Sequence, residues 1–258
     1  MTEQNLENFS LEHLNLEAVY QGYKGDAPVG ILAPWDIADA QPAVIAAEDA
    51  GQISGDVIDV GCGLGDNAIF LASRGYRVTG IDGAPTAIQE AKKRARAKGL
   101  DVDFAVADAT SLDGYENRFD TVIDSGLYHC LTEDNQRRYM DALYRATKPG
   151  ARLHLLCFAE ELPAVFPVAQ RVSEKNLREI VGKQWNITVL RPVLYQTSLT
   201  PESIRQLISL AASETEDVSE SLARFDPALA SNPIDSVELD DQGRIKAPVW
   251  QLAAERIG

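Results

Sequence analysis

The sequence predicts an α/β fold, a doubly wound sheet whose strands run mainly parallel. Three observations predict it. Short β-branched runs alternate with stretches of helical period between residues 56 and 158, and such alternation builds βαβ units joined by right-handed crossovers. The run Asp56-Val-Ile-Asp-Val-Gly-Cys-Gly-Leu-Gly-Asp-Asn-Ala-Ile-Phe-Leu-Ala72 reads as strand, glycine turn and helix start in direct succession. Finally, an acid closes each of three further predicted strands: Asp82, Asp108 and Asp124. Polar groups gathered at the carboxyl ends of parallel strands mark a Rossmann-like sheet, because ligands sit outside that edge.

The elements follow in order. Residues 1–34 are a polar lead-in with scattered apolar positions, among them Leu6, Phe9, Leu14, Val19, Tyr20 and Tyr23. Pro42 to Gly51 reads as a short helix with Gly as its stop, since Gly reaches the left-handed conformation that ends a helix. The strand 56–61 and the helix 66–74 come next, the latter burying Ile69, Phe70 and Leu71 and ending at Gly75. A strand 77–82 leads to a helix 85–98, with Ala84, Ile88, Ala91 and Ala95 on one face and Gly99 beyond it. Its basic run, Lys92, Lys93, Arg94, Arg96 and Lys98, reads as a solvated outer face.

Strands 102–108 and 119–125 bracket a loop containing Asp113-Gly114. The helix 133–147 carries Tyr139, Ala142, Leu143 and Ala146 at helical spacing and stops before Pro149-Gly150. A strand 151–158, a helix opened by Ser173 and a strand 186–195 follow, and Ala247 to Arg256 reads as the last strand. Some fifty residues separate these last two strands. Thr200-Pro201 starts one helix there, with Ile204, Leu207, Ile208 and Ala211 as its stripe, and Ser213-Glu-Thr-Glu216 is a capping box for another. The stripes argue that the segment packs, as a substrate-covering insertion. The expected organisation is a cap at 1–50, a core at 51–196, the insertion at 197–246 and a final core strand at 247–258.

Composition narrows the function. Acids outnumber Lys plus Arg 39 to 24, giving a formal charge of −15. That surface repels nucleic acid and anionic lipid, so an RNA or DNA substrate is excluded as an expectation. No stretch approaches the ~18 apolar residues of a membrane span, and the N-terminus lacks the basic and apolar regions of a signal peptide. Cys62, Cys130 and Cys157 are odd in number and form no C-x-x-C, which suits buried thiols in a reducing cytoplasm.

The glycine turn defines the cofactor. Gly61, Gly63 and Gly65 let backbone approach a ligand, and the helix start offers N–H groups and positive dipole. A dinucleotide fingerprint has G-x-G-x-x-G/A; here the turn is G-x-G-x-G, with Asp66 in the place of the last small residue, where a carboxylate repels pyrophosphate. With Asp59 in the first strand, the sheet edge is strongly negative. That field suits a ligand with net positive charge, a ribose and an adenine but no phosphate, and S-adenosylmethionine fits this description.

Residues 55–158 resemble the class I S-adenosylmethionine-dependent methyltransferases. The likeness rests on D-x-G-x-G-x-G (Asp59 to Gly65), the acid ending the second strand, A-D-A (Ala107 to Ala109) and K-P-G (Lys148 to Gly150). Finer runs are similar to bacterial relatives of thiopurine and heterocyclic-toxin methyltransferases: Ala33-Pro-Trp-Asp-Ile, Asp66-Asn-Ala-Ile-Phe-Leu-Ala, Ile123-Asp-Ser-Gly-Leu-Tyr-His and Leu153-His-Leu-Leu-Cys-Phe. The resemblance implies a seven-stranded sheet with the last strand antiparallel, and a lead-in that folds over the cofactor as a lid. It implies methyl transfer to a small acceptor at an aromatic or heteroaromatic oxygen, nitrogen or sulfur. A tellurite- or thiol-detoxifying methyltransferase and a non-catalytic cofactor-binding regulator stand as alternatives.

Site residues follow from chemistry and resemblance together. Asp82 and Gly83 should meet the ribose, as the equivalent acid does in dinucleotide folds. Asp108 and the Ala109 backbone should meet the adenine edge. Asp59, Gly61 and Asp124 should surround the amino-acid part, with the backbone of Cys62 and Gly63 facing the cofactor and Asn67 as an extra donor. Trp35 is either a wall of this pocket or a core residue. Of the histidines, His13 lies in the lead-in and His154 mid-strand. His129 follows the strand ending at Asp124, and with an ordinary pKa near 6.5 it is either a base for the acceptor or a helix-capping residue. Tyr128 is a candidate wall for an aromatic acceptor. No metal-ligand spacing is present.

Overall fold

The computed structural model describes residues 16–22, 33–162, 170–204 and 237–258. Residues 1–15 and 23–32 of the expected cap, with His13, and residues 205–236 of the expected insertion, including the capping box at Ser213, lie outside the described residues. The helices are α1 (Leu16–Gly22), α2 (Pro42–Asp49), α3 (Asp66–Ser73), α4 (Pro85–Ala97), α5 (Glu133–Ala146) and α6 (Glu174–Ile180). The strands are β1 (Asp56–Val60), β2 (Arg77–Asp82), β3 (Asp103–Val106), β4 (Phe119–Ser125), β5 (Thr147–Phe158), β6 (Trp185–Gln196) and β7 (Lys246–Arg256).

They form one seven-stranded sheet in the order β3-β2-β1-β4-β5-β7-β6. The first five strands run parallel to one another, while β7 runs antiparallel to both β5 and β6. Chain order reverses between β1 and β4, and a crevice opens at such a switch point, beyond the carboxyl ends of the strands.

The central strands β1, β2 and β4 are buried on both faces, which explains why they read as apolar runs and not as clean alternation. Ile58 and Val60 join the cluster under α5 and α6, with Tyr139, Leu143, Leu177 and Trp185. Val57 turns to the other side, with Ile69 and Leu71 of α3 and Ile88 and Ala91 of α4. Burying each such aliphatic side chain stabilises the fold by about 1.5–3 kcal/mol. Because side chains alternate along β1, Asp59 shares the α3 face with Val57.

Helix starts follow local chemistry. Thr132 caps α5 by accepting the Asn135 N–H (3.4 Å), and Ser173 caps α6 by accepting the Asn176 N–H (3.0 Å). Pro42 and Pro85 occupy first turns, where a missing N–H costs nothing.

Three expectations need correction. β3 is shorter than 102–108. β5 begins at Thr147, not at residue 151, and the pairing jumps from Phe119↔Thr147 to Thr121↔Arg152; Lys148-Pro-Gly-Ala151 bulges between these pairs, where Pro149 has no N–H to give a ladder. In α4, Arg94 departs from the solvated basic face: its side chain is 19% exposed and pairs with Asp36 and Asp66.

Candidate active site

The carboxyl ends of β1, β2 and β4 build the site around the glycine turn. Cys62 N–H donates to Ile81 O (2.9 Å) and Cys62 O accepts the Gly65 N–H (2.9 Å), so the Cys62 backbone is engaged within the turn. Its thiol lies against Gly80, 3.2 Å from where a Cβ there would stand. Gly63 has φ +53°, and a Cβ on it would sit 2.9 Å from the Tyr20 hydroxyl. That conformation favours glycine, and the close approach of Tyr20 leaves no space for a side chain.

Asp82 fastens the turn. Its Oδ2 accepts the Gly63 N–H (2.9 Å) and its Oδ1 accepts the Ala84 N–H (2.8 Å). A carboxylate oxygen takes two such bonds, so each retains capacity for a hydroxyl. Beside it, a Cβ on Gly83 would meet open space. The Ala107 N–H donates to Asp82 O (3.1 Å), which brings the end of β3 to the same edge. There Asp108 is exposed and its Oδ1 accepts both the N–H and the hydroxyl of Thr110 (2.8 Å each), and Ala109 packs on the core.

Asp59 lies beneath the turn, 1% exposed, and its Oδ2 has no hydrogen-bond partner. Burial, then the charges of Asp124, Asp82 and Asp66, push its carboxyl up to about 8, with the Ala68 amide pulling the other way. Burial also raises Asp82, against the amides of Ala84 and Gly63. Among the described residues, neither Asp59, Asp82 nor Asp124 is paired with a Lys or Arg. A buried acidic cluster of this kind favours a cation beside it.

Asp124 and Asp66 have other employment than expected. Asp124 is 0% exposed. Its Oδ1 accepts the N–H groups of Gly126 (3.2 Å), Leu127 (2.8 Å) and Tyr128 (3.4 Å), and its Oδ2 accepts the Tyr139 hydroxyl (3.0 Å). The carboxyl therefore organises the turn after β4 and does not face a ligand; burial, offset by these bonds, leaves it at about 6. Asp66 does not project its charge at a pyrophosphate either. Arg94 reaches Asp66 Oδ2 (3.1 Å) and both oxygens of Asp36 (2.9 Å each). That clamp ties the segment after Trp35 to α3 and α4. Asn67 Oδ1 accepts the Gln41 N–H (2.9 Å), a second tie between the same regions.

Helix α1 covers the turn. Tyr20 packs edge-on to Trp35 (ring centroids 5.9 Å apart), and its hydroxyl and the indole nitrogen both lie close to Gly63. Glu17 accepts the Thr86 hydroxyl (2.6 Å) and N–H (3.0 Å) at the start of α4. A carboxylate there complements the unpaired amides and the positive dipole end. Trp35 packs, partly buried, on two apolar clusters and lies beside Tyr20 near Gly63.

On the other side of the turn stands an aromatic wall. Leu127 abuts Gly61, 2.8 Å from where a Cβ would stand, and Gly126 borders His129 and Tyr195. The His129 ring lies 4.2 Å from Phe158, and Phe158 lies 6.4 Å from Tyr195. The Tyr195 hydroxyl donates to Ser125 O (3.4 Å). Tyr128 is not part of this wall: it is 0% exposed and donates its hydroxyl to Asn176 Oδ1 (2.9 Å) under α6. Successive residues of a short 3-10 turn point apart, so only His129 reaches the β5–β6 side. His129 is itself buried, and burial alone lowers its pKa to about 3, so it rests as a neutral imidazole and not as the ordinary titrating histidine expected.

The structure therefore gathers Asp59, Gly61, Gly63, Asp82, Gly83 and Asp108 at one edge, with Trp35 over it and His129 beside it. Sequence reading missed Glu17, Tyr20, Asp36, Arg94, Phe158 and Tyr195. Asp36 and Phe158 lay within quoted runs; the others carry no local signal.

Residues 57–150 match a family model described as a methyltransferase domain. The chain is 40% identical over 186 residues to the 2-heptyl-1-hydroxyquinolin-4(1H)-one methyltransferase of Mycobacteroides abscessus, covering 69% of this chain and 81% of that protein. It is 31% identical over 128 residues to the demethylmenaquinone methyltransferase of Thermus thermophilus, covering 49% and 57%. A solved structure from work on the conversion of a disulfide bond into a thioacetal group during echinomycin biosynthesis superposes with a TM-score of 0.69 and 32% identity, over 93% of this chain and 90% of that one.

Proposed function

The chain belongs to the class I S-adenosylmethionine-dependent methyltransferases, and from that premise we propose that it methylates a hydroxyl on a small aromatic or heteroaromatic ring. S-adenosylmethionine is the cofactor of this family, and this chain's residues fit it. The unpartnered Asp59 Oδ2 and the carboxylates without basic partners suit a sulfonium and an ammonium, Gly83 leaves room, and Asp82 has capacity for ribose hydroxyls. When bound, the cofactor supplies an electrophilic methyl on a leaving group that departs as a neutral thioether.

The observation that carries the acceptor class is the wall of His129, Phe158 and Tyr195 next to the glycine turn. Flat aromatic faces hold a planar acceptor by stacking. Their place beside Leu127 and Gly61 brings such a ring to the cofactor edge, and catalysis of this kind rests on holding reactants about 3–3.5 Å apart in line. The hydroxyquinolinone in the name of the Mycobacteroides abscessus relative supports the same acceptor chemistry. Among the described residues no cluster of His, Cys, Asp and Glu could hold a metal ion, and no helix is long and apolar enough to cross a membrane.

The test is incubation with methyl-labelled S-adenosylmethionine and a panel of hydroxyquinolones, phenols and thiols, with products identified by mass. Label on a ring hydroxyl supports the reading. Label on thiols alone, or none despite cofactor binding, overturns it.

A further inference from the structure

We propose that His129 is a hydrogen-bond donor to the acceptor oxygen, with its N–H fixed on Nε2 by the Phe158 amide, and that the site selects acceptors whose oxygen is already anionic. This rests on the preceding reading of the acceptor as a ring hydroxyl. A neutral imidazole has one N–H and one lone pair. The Phe158 N–H donates to His129 Nδ1 (3.4 Å), so the lone pair is on Nδ1 and the proton on Nε2. Among the described residues Nε2 has no protein partner, although the ring is otherwise enclosed by Phe158 and by Gly126, whose Cβ would lie 3.5 Å from Cε1.

A base in this position would have its lone pair toward the acceptor and a carboxylate behind it to steady the imidazolium. Neither is present. The lone pair faces the β5 backbone, and of the acids near His129 in sequence, Asp124 commits both oxygens to the 126–128 amides and Tyr139, while Glu133 is exposed and paired with Arg137. The other titratable groups around the ring are Tyr195 on β6, bonded to Ser125 O, and Cys130 on the same turn, whose thiol is directed at Gly126 O (3.4 Å). Burial raises both to about 12, so neither offers an anion to the imidazole at neutral pH. Burial likewise holds His129 neutral.

A fixed N–H beside the acceptor stabilises its oxyanion and lowers its pKa. In transfer the acceptor oxygen's lone pair forms the new O–C bond as the C–S bond breaks, and no proton leaves in that step. N-hydroxy heteroaromatics and acidic phenols meet the condition; weakly acidic alcohols do not.

The test uses full-length protein with 1-hydroxyquinolin-4(1H)-one and a series of phenols graded in acidity. His129→Ala should lower kcat/KM about 10- to 100-fold, the loss of one hydrogen bond to a charged group, and His129→Gln, which can donate but not accept a proton at neutral pH, should restore most of it. The pH midpoint of kcat/KM should follow the acceptor's own acidity in wild type and His129→Gln alike. A midpoint independent of the acceptor and abolished in His129→Gln means that His129 is a base and overturns the proposal. So does an unchanged His129→Ala. Nitrogen-15 NMR of the wild-type chain, which needs no acceptor, should show the Nε2–H tautomer from pH 5 to 9; an Nδ1–H form or an imidazolium overturns the proposal whatever the panel shows. If wild type methylates no hydroxyl in the panel, the reading of the acceptor has failed, and the proposed donor role fails with it.

Discussion

Asp59→Asn should make the protein more stable at alkaline pH and abolish a pH dependence of cofactor binding. Asp59 has 1% of its surface exposed, and Oδ2 has no partner. Burial and the neighbouring acids move its carboxyl from the ordinary 3.8 to about 8. A folded pKa above the unfolded one means that the native state holds a proton the unfolded chain releases. Its contribution to stability is fully present below 3.8 and is lost as pH rises through about 8. Each tenfold change in proton affinity is worth about 1.4 kcal/mol, so the full displacement amounts to on the order of 5 kcal/mol across that window. Asn keeps the shape and never ionises. Urea or thermal unfolding of both proteins from pH 5 to 9 at fixed ionic strength gives the answer. The advantage of Asp59→Asn over wild type should grow with pH and level off above 8. Asp82 and Asp124 titrate in both proteins, so the difference between the curves isolates Asp59.

A cationic ligand draws the ionised carboxylate, so wild type should bind S-adenosylmethionine more tightly as pH rises toward 8, by up to about tenfold per pH unit. The Asn variant should lack that slope. Parallel stability curves, or equal binding slopes, would refute the assignment of the proton to Asp59.

Arg94→Met should destabilise the fold by about 3–5 kcal/mol in denaturant titrations at neutral pH, because it strands Asp36 and Asp66 in a poorly solvated site. The loss should shrink on acidification, since Asp66 already titrates at about 6. Gly63→Ala should weaken cofactor binding at least about tenfold by calorimetry, from the strain at positive φ and the clash with the Tyr20 hydroxyl. Glu17→Gln removes the negative charge at the start of α4 and weakens the grip on Thr86; exchange protection of residues 16–22 should fall and cofactor dissociation quicken several-fold, about 1 kcal/mol, with little change in the unfolding midpoint.

Much of this protein is legible locally. The strands and helices from β1 to α6 follow from residue period, from glycines past helix ends and from capping by Thr132 and Ser173, because φ/ψ preference and side-chain alternation act within a few residues. The glycine turn and the acid at the end of β2 are local in the same sense: a strand ending fixes where its last side chain lies. What each acid does is not local. Asp124 is sealed by Tyr139, from a helix fifteen residues on, and Asp66 is matched by Arg94 twenty-eight residues away. A strand-ending acid facing a ligand and one pinning a turn are spelled alike. The aromatic wall depends on still longer range. His129, Phe158 and Tyr195 come from a turn and two strands, β5 and β6, that touch β7 on opposite edges. Residue types and backbone periods determined which sheet forms and which edge carries the cofactor. Only packing decided which carboxylates stay without a cation, and which nitrogen of His129 meets the Phe158 amide, because those depend on neighbours brought together by the fold.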